Sequence, residues 1–539
     1  MLTLAFAANG LPAQAKPATP TTPLGPAVFF TDVTSGPQTG GPGNLGVPIA
    51  IFGIGFGAAR GTSMVTINGT EAASYLIWGE RNANNAMLDM IVVQPGPNAT
   101  AGPVVVTVGG HGSNATHVFT PTTGNVFAVA PTGLDTNPCS LAQPCATILH
   151  AATEVMHAGD ALLVRGGSLN DDEIWIRDSL GHSGQPGQSK VIRNYPGETP
   201  VFTKVNRPVI LDANEITFSG FKFTGGKSIG VGDVDNHGNR VVNNTFEGVI
   251  GYDAIGTHGN NHVLAGNTCN IDPSSVGTQG HCYYISHGSG IRLLYNVARG
   301  ASGYGIHIFD QQRSTNDFTR VISDVLIEGN LLTSSLERSG LIIAMSDEGK
   351  RGNFIAGITI RNNLFIANNF AGVAIGGIVR NVNIEHNTFY QNGLQGITLY
   401  DEATVDGITI TNNLFDQTAN TNCTSNCSWY VTAHIEKGAA AKNVVVSHNF
   451  YAPGPAITRN ITDDAPATGA SGFVNPATLD FHLQANSLAI NVGKFPSAIS
   501  IDFDGQPRPL GLAPDAGAFE YLPTVPLKLP LYLPILRRS

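Results

Sequence analysis

Eight short segments of this chain share one shape: RVVNNTF, HVLAGNTC, RLLYNVA, VLIEGNLL, ITIRNNLF, VNIEHNTF, ITITNNLF and VVVSHNFY. Each is a short aliphatic, mostly β-branched run, then asparagine, then small or apolar residues. The asparagines are Asn244, Asn267, Asn296, Asn330, Asn363, Asn387, Asn413 and Asn449, at spacings of 23, 29, 34, 33, 24, 26 and 36 residues. A unit of about 22 residues carrying insertions of variable length accounts for these spacings. A single unit cannot bury its own apolar strip, so units stack and share one continuous core. Asparagine at a tight corner bonds backbone groups that the turn leaves unpaired, and its amide can bond the asparagines above and below. The eight side chains are therefore expected to be structural, in a solenoid spanning residues 125–475.

Composition narrows the function classes. Only 13% of the 539 residues are charged, while glycine (64) and proline (32) are abundant, which suits strands and turns. A net charge of −10 argues against a nucleic-acid partner. Residues 251–320 carry four Asp and four Arg, so a polyanionic substrate would need a local basic patch or a bridging cation. The six cysteines form three local pairs, Cys139/Cys145, Cys269/Cys282 and Cys423/Cys427. An even count at short spacing fits disulfides in an oxidising compartment, although six cysteines formally allow 15 connectivities. The motif CTSNC lacks the second Cys or His pair that a zinc site needs.

Residues 1–15, an apolar run ending in AQA, read as the end of a secretory signal peptide cut after Ala15. The basic stretch that opens such a peptide is missing, which points to a start upstream. Residues 16–25 form a Pro/Thr-rich linker. No segment reaches the ~18 apolar residues of a membrane helix. Residues 522–539 end in PLKLPLYLPILRRS, read either as a surface-sorting signal or as a disordered tail. The expectation is a secreted, extracellular monomer, with surface attachment through this tail as the alternative.

Three resemblances follow from longer stretches. TSGPQTGG, IFGIGFG, MVTING, the Trp78 region and GPVVVTVGGHGSNATHVFT, spread over residues 26–121, resemble the IPT/TIG immunoglobulin-like β-sandwich. That resemblance implies a spacer or binding accessory. NPCSLAQPCATILHAATEVMHAGDALLVRGG resembles the entry of secreted β-helix proteins, with a capping helix over Ala146–Met156 and a strand over Asp160–Val164. With the asparagine repeats, residues 125–475 resemble the pectate-lyase-like superfamily, which implies an all-β fold, a right-handed parallel β-helix. TLDFHLQANSLAINVG and IDFDGQPRPLGLAPDAGAFEY, within residues 476–521, resemble the C-terminal segment of choice-of-anchor Q proteins. They are expected to cap the last coil and protect its edge, with Asp502, Asp504, Arg508 and Asp515 in cap salt bridges.

Chemistry concentrates in GHCYYISHGSGIRLLYNVARGASGYGIHIFD, residues 280–310. Five of the 15 histidines lie between His258 and His307. DNHGN, GTHGNN and ISHGSG place His237, His258 and His287 before glycine, as a column if the coils align. Strand alternation gives Tyr283, Ile285 and His287 one parity, and leaves open whether His307 and Phe309 or Ile306, Ile308 and Asp310 face outward. Such a cluster suits an extracellular polysaccharide, with Asp253, His258, His281, Tyr284 and Arg313 contacting sugar. Longer connections at 310–322, 345–356 and 414–430 would wall the face.

The superfamily resemblance implies a lyase acting by β-elimination on a uronate. Such a reaction needs a base, a proton donor and a cation at the carboxylate. His287 or His307 is then the base and Tyr283 the donor. Arg292, Arg313, or a Ca²⁺ held by Asp253 and Asp310 neutralises the carboxylate. The chain departs from calcium-dependent members in having no dense acidic cluster, Asp233 and Asp235 coming nearest. A glycoside hydrolase would use Asp253 and Asp310 as its carboxylate pair. The rival reading is a non-catalytic, glycan-binding surface protein in which histidine serves turns and tyrosine the core.

Overall fold

The computed structural model describes residues 25–81, 85, 87–203, 208–225, 228–233, 235–248, 253–271, 280–310, 321–345, 352–418 and 432–523. Arg313, Cys423 and Cys427 lie outside them, as does the side chain of Asp310.

Two sheets form the N-terminal sandwich. One has the spatial order Ala27–Thr31, Ile49–Ile54, Asp89–Gln94, Ser74–Arg81, all antiparallel. The other centres on Gly102–Val108, between Val118–Thr122 and Met64–Ile67. Alternating Val and Ile residues from both sheets fill the space between them around Phe56 and Phe119.

A helical stretch, Ile148–Val155, follows, with its second half widened to π geometry. Thr147 caps it, and Asp171 accepts the free N–H groups of Ile148 and Leu149. Ile148, Ala151, Ala152 and Met156 are buried against the first coils.

The chain then winds as a right-handed parallel β-helix of three sheets. Among the described residues the first sheet has 13 strands, from Val126–Val129 to Val445–Ser447. The second has 12, from Gly167–Ser168 to Ala467–Thr468, and the third 11, from Ile174–Arg177 to Thr458–Arg459. One coil reads Val263–Ala265 in the first sheet, Thr268–Asn270 in the second and His281–Ile285 in the third. Phe365, Phe389, Phe415 and Tyr451 stack inside at centroid distances of 4.9, 4.8 and 5.4 Å, close to the ~4.8 Å strand spacing.

All eight repeat asparagines sit at the corner between the first and second sheets and are fully buried. The backbone N–H of each of the first seven donates to Oδ1 of the asparagine one coil on, at 2.8 to 3.0 Å. Each Nδ2 donates to the same oxygen at 2.9 to 3.1 Å. The ladder ends on a carboxylate: Asp463 Oδ2 accepts from Asn449 Nδ2 at 2.9 Å and from the Tyr451 hydroxyl at 2.6 Å.

Flanking segments pack on two of the three sheets. The sandwich sits on the first sheet, where Phe29, Phe30 and Leu88 meet Val242, Ala265 and Tyr295. Buried Asp32 pairs with Arg193 at 3.0 Å and accepts the Ser219 hydroxyl at 3.1 Å. Residues 473–523 lie along the second sheet, burying Phe473, Phe481, Leu483, Phe503 and Phe519 against Val297, Leu331, Leu364, Leu414 and Phe450. The expected cap is thus a strap. It reaches back to Tyr295, whose hydroxyl donates to the Phe503 carbonyl at 3.2 Å and whose ring stacks on Phe29 at 4.1 Å. Inside the strap Arg508 pairs with Glu520 at 2.7 Å, and His482 bridges Asp480 and Asp504 at 2.6 and 2.7 Å.

Candidate functional site

The outward residues of the third sheet belong to neither packing cluster made by the flanking segments. Strand register aligns them in one unbroken column: Trp175, Ile210, Gly230, Gly256, Tyr284, His307, Ile342, Ala374, Thr398, Glu436 and Arg459. A parallel column three residues before the first runs Asp253, His281, Tyr304, since Asp253 pairs with His281 and the Tyr304 N–H bonds the His281 ring. Alternation puts Ile306 and Ile308 inside, both fully buried, and turns His307 and Phe309 outward.

An aromatic group forms where the two columns meet. The His307 ring lies 4.4 Å from His281, 5.0 Å from Tyr284, 5.0 Å from Tyr304 and 4.8 Å from Phe309. His281 also stacks beside Tyr304 at 5.5 Å. The Tyr284 hydroxyl donates to the Phe309 carbonyl at 3.2 Å. Higher up, Ile342, Ala344 and Ala374 pack beneath Tyr304, Phe309 and Tyr400. Arg338, Gln395 and Thr398 line a small groove there with Tyr304 and Tyr400. The Cys269–Cys282 disulfide ties the strand holding His281 and Tyr284 to the second sheet.

Protonation states follow from burial. His281 Nδ1 accepts the Tyr304 N–H at 3.0 Å, which leaves the proton on Nε2 in the neutral ring. Burial, with the Arg338 charge nearby, lowers its pKa to about 4. Burial beside His281 lowers that of His307 to about 2. Both rings are neutral at pH 7. His307 Nδ1 is buried without a hydrogen-bond partner among the described residues.

Several sequence candidates lie elsewhere. Tyr283 is fully buried, with its hydroxyl donating to the Asn267 and Val297 carbonyls at 2.9 and 3.1 Å, so it is a core residue and no proton donor to a sugar. Strict alternation fails at this point because Cys282 and Tyr283 both face inward. His237, His258 and His287 form no column. His237 aligns with Asn260, and Ser286 stands beside the His258 ring at 3.1 and 3.2 Å. His287 follows one residue later, beyond the aromatic group. Arg292 belongs to the first sheet and pairs with Asp324 at 2.9 Å.

Asp253 and Asp310 cannot act as a pair. Asp253 opens its strand, aligned with His281, whereas Asp310 closes the strand two coils on. Six residue steps along the sheet separate their backbones by about 20 Å. That exceeds the reach of one Ca²⁺ and the ~5–9.5 Å between glycosidase carboxylates. The one three-residue group with metal-ligand spacing among the described residues, Cys139, Cys145 and His150, contains the Cys139–Cys145 disulfide. His281, Tyr284 and His307 do come together, with Asp253 beside them. Its carboxylate lies over Gly256, the step beneath Tyr284.

Sequence reasoning missed Tyr304, Phe309, Arg338 and Trp175. A second repeat held the signal. GIHI, GLII, GVAI and GITL place Gly305, Gly340, Gly372 and Gly396 in register, and the third residue of each is the outward one.

Nothing among protein-family models or curated protein sequences matches this chain. Among solved structures, it resembles pectate lyase Pel9A at 18% identity and TM-score 0.47, over 74% of this chain and 96% of that one. A rhamnogalacturonan lyase matches at 14% identity and TM-score 0.40, over 65% and 91%. A glycoside hydrolase matches at 11% identity and TM-score 0.43, over 67% and 99%. The class defined by the chain's own pairing is a three-sheet parallel β-helix with an outward aromatic and histidine column. No helix among the described residues is long and apolar enough to cross a membrane.

Proposed function

We propose that this protein is carbohydrate-active and extracellular, and that it holds a uronate-containing polysaccharide along the outer face of the third sheet. The carrying observation is the group His281, Tyr284, Tyr304, His307 and Phe309 on the sheet that the sandwich and strap do not pack against. Aromatic faces offer sugars flat apolar area, and neutral imidazoles offer hydrogen bonds without a charge to desolvate. His281 Nε2–H is a fixed donor, and Arg338 supplies a positive charge for a uronate carboxylate. Two formed disulfides agree with an oxidising location.

Cleavage by β-elimination is the second reading, with the outward His307 as the base. Its Nδ1 is closed off inside the aromatic group, so the proton beside the uronate carboxylate would go to Nε2, and the ring would act only where bound substrate raises the pKa that burial holds at about 2. In this reading Arg338 offsets the carboxylate charge and Tyr304 protonates the leaving oxygen.

Affinity electrophoresis in gels containing polygalacturonate, alginate, xanthan or a neutral glucan tests binding. Retardation by an acidic polymer is expected, reduced at least about tenfold in affinity by Tyr284→Ala. Equal migration in every gel would sink the reading. Ultraviolet absorbance of unsaturated chain ends tests cleavage, and His307→Ala should abolish it while leaving retardation measurable.

A further inference from the structure

The register column extends past the aromatic group to the first strand of the third sheet. There Trp175, one of three tryptophans in the chain, points outward with 38% of its surface exposed. Core filling does not explain it, because its neighbours Ile174 and Ile176 occupy the interior and are fully buried. Its ring is held in place. The indole N–H donates to Asp212 Oδ2 at 2.7 Å, and the Arg177 guanidinium lies 3.3 Å from the ring centroid. A ring fixed at its edge and on one face loses little freedom when a ligand stacks on it.

Between Trp175 and Tyr284 the column holds only Ile210, Gly230 and Gly256. Two glycines in successive coils project no side chain of their own, and the Asp253 carboxylate lies over the second, with a raised aromatic residue at each end of the stretch. Four coil steps separate Trp175 from Tyr284, about 19 Å at ~4.8 Å per coil. Coils at that spacing advance by close to one pyranose residue each. Carboxylates flank this stretch, Asp212 at the Trp175 end and Asp253 over Gly256. Asp253 can accept sugar hydroxyls and disfavours a uronate beside it, the Arg177 guanidinium offsets Asp212 at the Trp175 end, and Arg338 lies on the far side of His281.

We propose that Trp175 is the distal sugar platform of the third-sheet face, which therefore binds an extended polymer parallel to the solenoid axis, of roughly five or more residues. The sugars over the glycine floor are neutral, and the uronate lies at the His281–Arg338 end. This rests on the carbohydrate reading above and adds to it a direction, a minimum length and a charge pattern.

The test uses the full chain and fragments of whichever polysaccharide containing both uronate and neutral sugars retards it most, sized to two and to eight residues. Calorimetry is run on wild type, Trp175→Ala, Trp175→Phe and Tyr284→Ala, with thermal melts confirming that each variant folds. Trp175→Ala should weaken the octasaccharide about tenfold and change the disaccharide less than about twofold. Trp175→Phe should keep most of the octasaccharide affinity, and Tyr284→Ala should weaken both fragments. If Trp175→Ala leaves octasaccharide binding intact while Tyr284→Ala impairs it, the distal platform is wrong and the carbohydrate reading stands. If wild type binds neither polymer nor fragment, the carbohydrate reading fails and takes the platform with it.

Discussion

At the eight repeat corners between the first and second sheets, one residue adopts positive φ and the next is asparagine. The left-handed residues are Asn243, Gly266, Tyr295, Gly329, Asn362, His386, Asn412 and His448, with φ between 52° and 69°. For tyrosine or histidine that conformation costs roughly 1–2 kcal/mol. The ladder offsets it by satisfying backbone groups that the corner would otherwise bury unpaired. Asn330 shows the stakes. Its amide donates to the Leu293 and Glu328 carbonyls, and its Oδ1 accepts from the Asn296 backbone and side chain. Asn330→Ala leaves these groups buried without partners, at ~1–3 kcal/mol each before relaxation. A loss of about 3 kcal/mol or more is expected in denaturant unfolding. An unchanged midpoint would mean that the coils close up without the amide. The asparagines were legible in the sequence because one residue type recurs after one apolar pattern. Tyr283 was misread because an inward pair at Cys282 and Tyr283 breaks the alternation that sequence reasoning relies on.

Among elements, the strand His281–Ile285 has the most demanding task, because it fills the core and presents the site within five residues. Cys282 and Tyr283 point in, while His281 and Tyr284 point out. The disulfide from Cys282 to Cys269 spans 13 residues and fixes this strand to the second-sheet strand of its own coil. A loop of that length contributes about 3 kcal/mol through restriction of the unfolded chain. The Cys269→Ala/Cys282→Ala variant should lose about that much stability and bind polysaccharide more weakly, since both outward side chains flank the lost anchor. Reduced wild type should behave alike in thermal melts and affinity electrophoresis. Full retention of binding would show that strand pairing alone holds the site. The local cysteine pairing was readable from spacing at both described disulfides. The His237, His258 and His287 column was not, because the turns after each strand differ in length and shift the histidines out of register.

For the whole molecule, the three faces divide the labour, and their titrating groups lie in different places. On the third sheet, burial depresses His307 to about 2 and His281 to about 4, and elsewhere in the solenoid it depresses His262 and His434 to about 4. Unfolded histidine titrates near 6.5, so the unfolded chain takes up these protons first and stability falls as pH drops below ~6.5. The strap behaves oppositely. His482, between Asp480 and Asp504, is raised to about 10, and its contribution is complete below ~6.5 and lost as pH climbs through about 10. Burial also raises Asp502 and Asp515 to about 7, so their contribution is complete below ~3.9 and is lost as pH rises through about 7, below the range in which His482 titrates. Facing groups on the solenoid are Tyr295, held protonated by burial, with Glu328 and Arg361 nearby, and His386, held neutral by burial and Arg508. The thermal midpoint should therefore peak near neutral pH and fall on both sides. His482→Gln should lower the midpoint at neutral pH and flatten only the alkaline limb, by several degrees between pH ~7 and ~10. His307→Phe should flatten only the acid limb. A change in both limbs from either variant would mean that strap and third sheet are coupled through the core rather than titrating on separate faces.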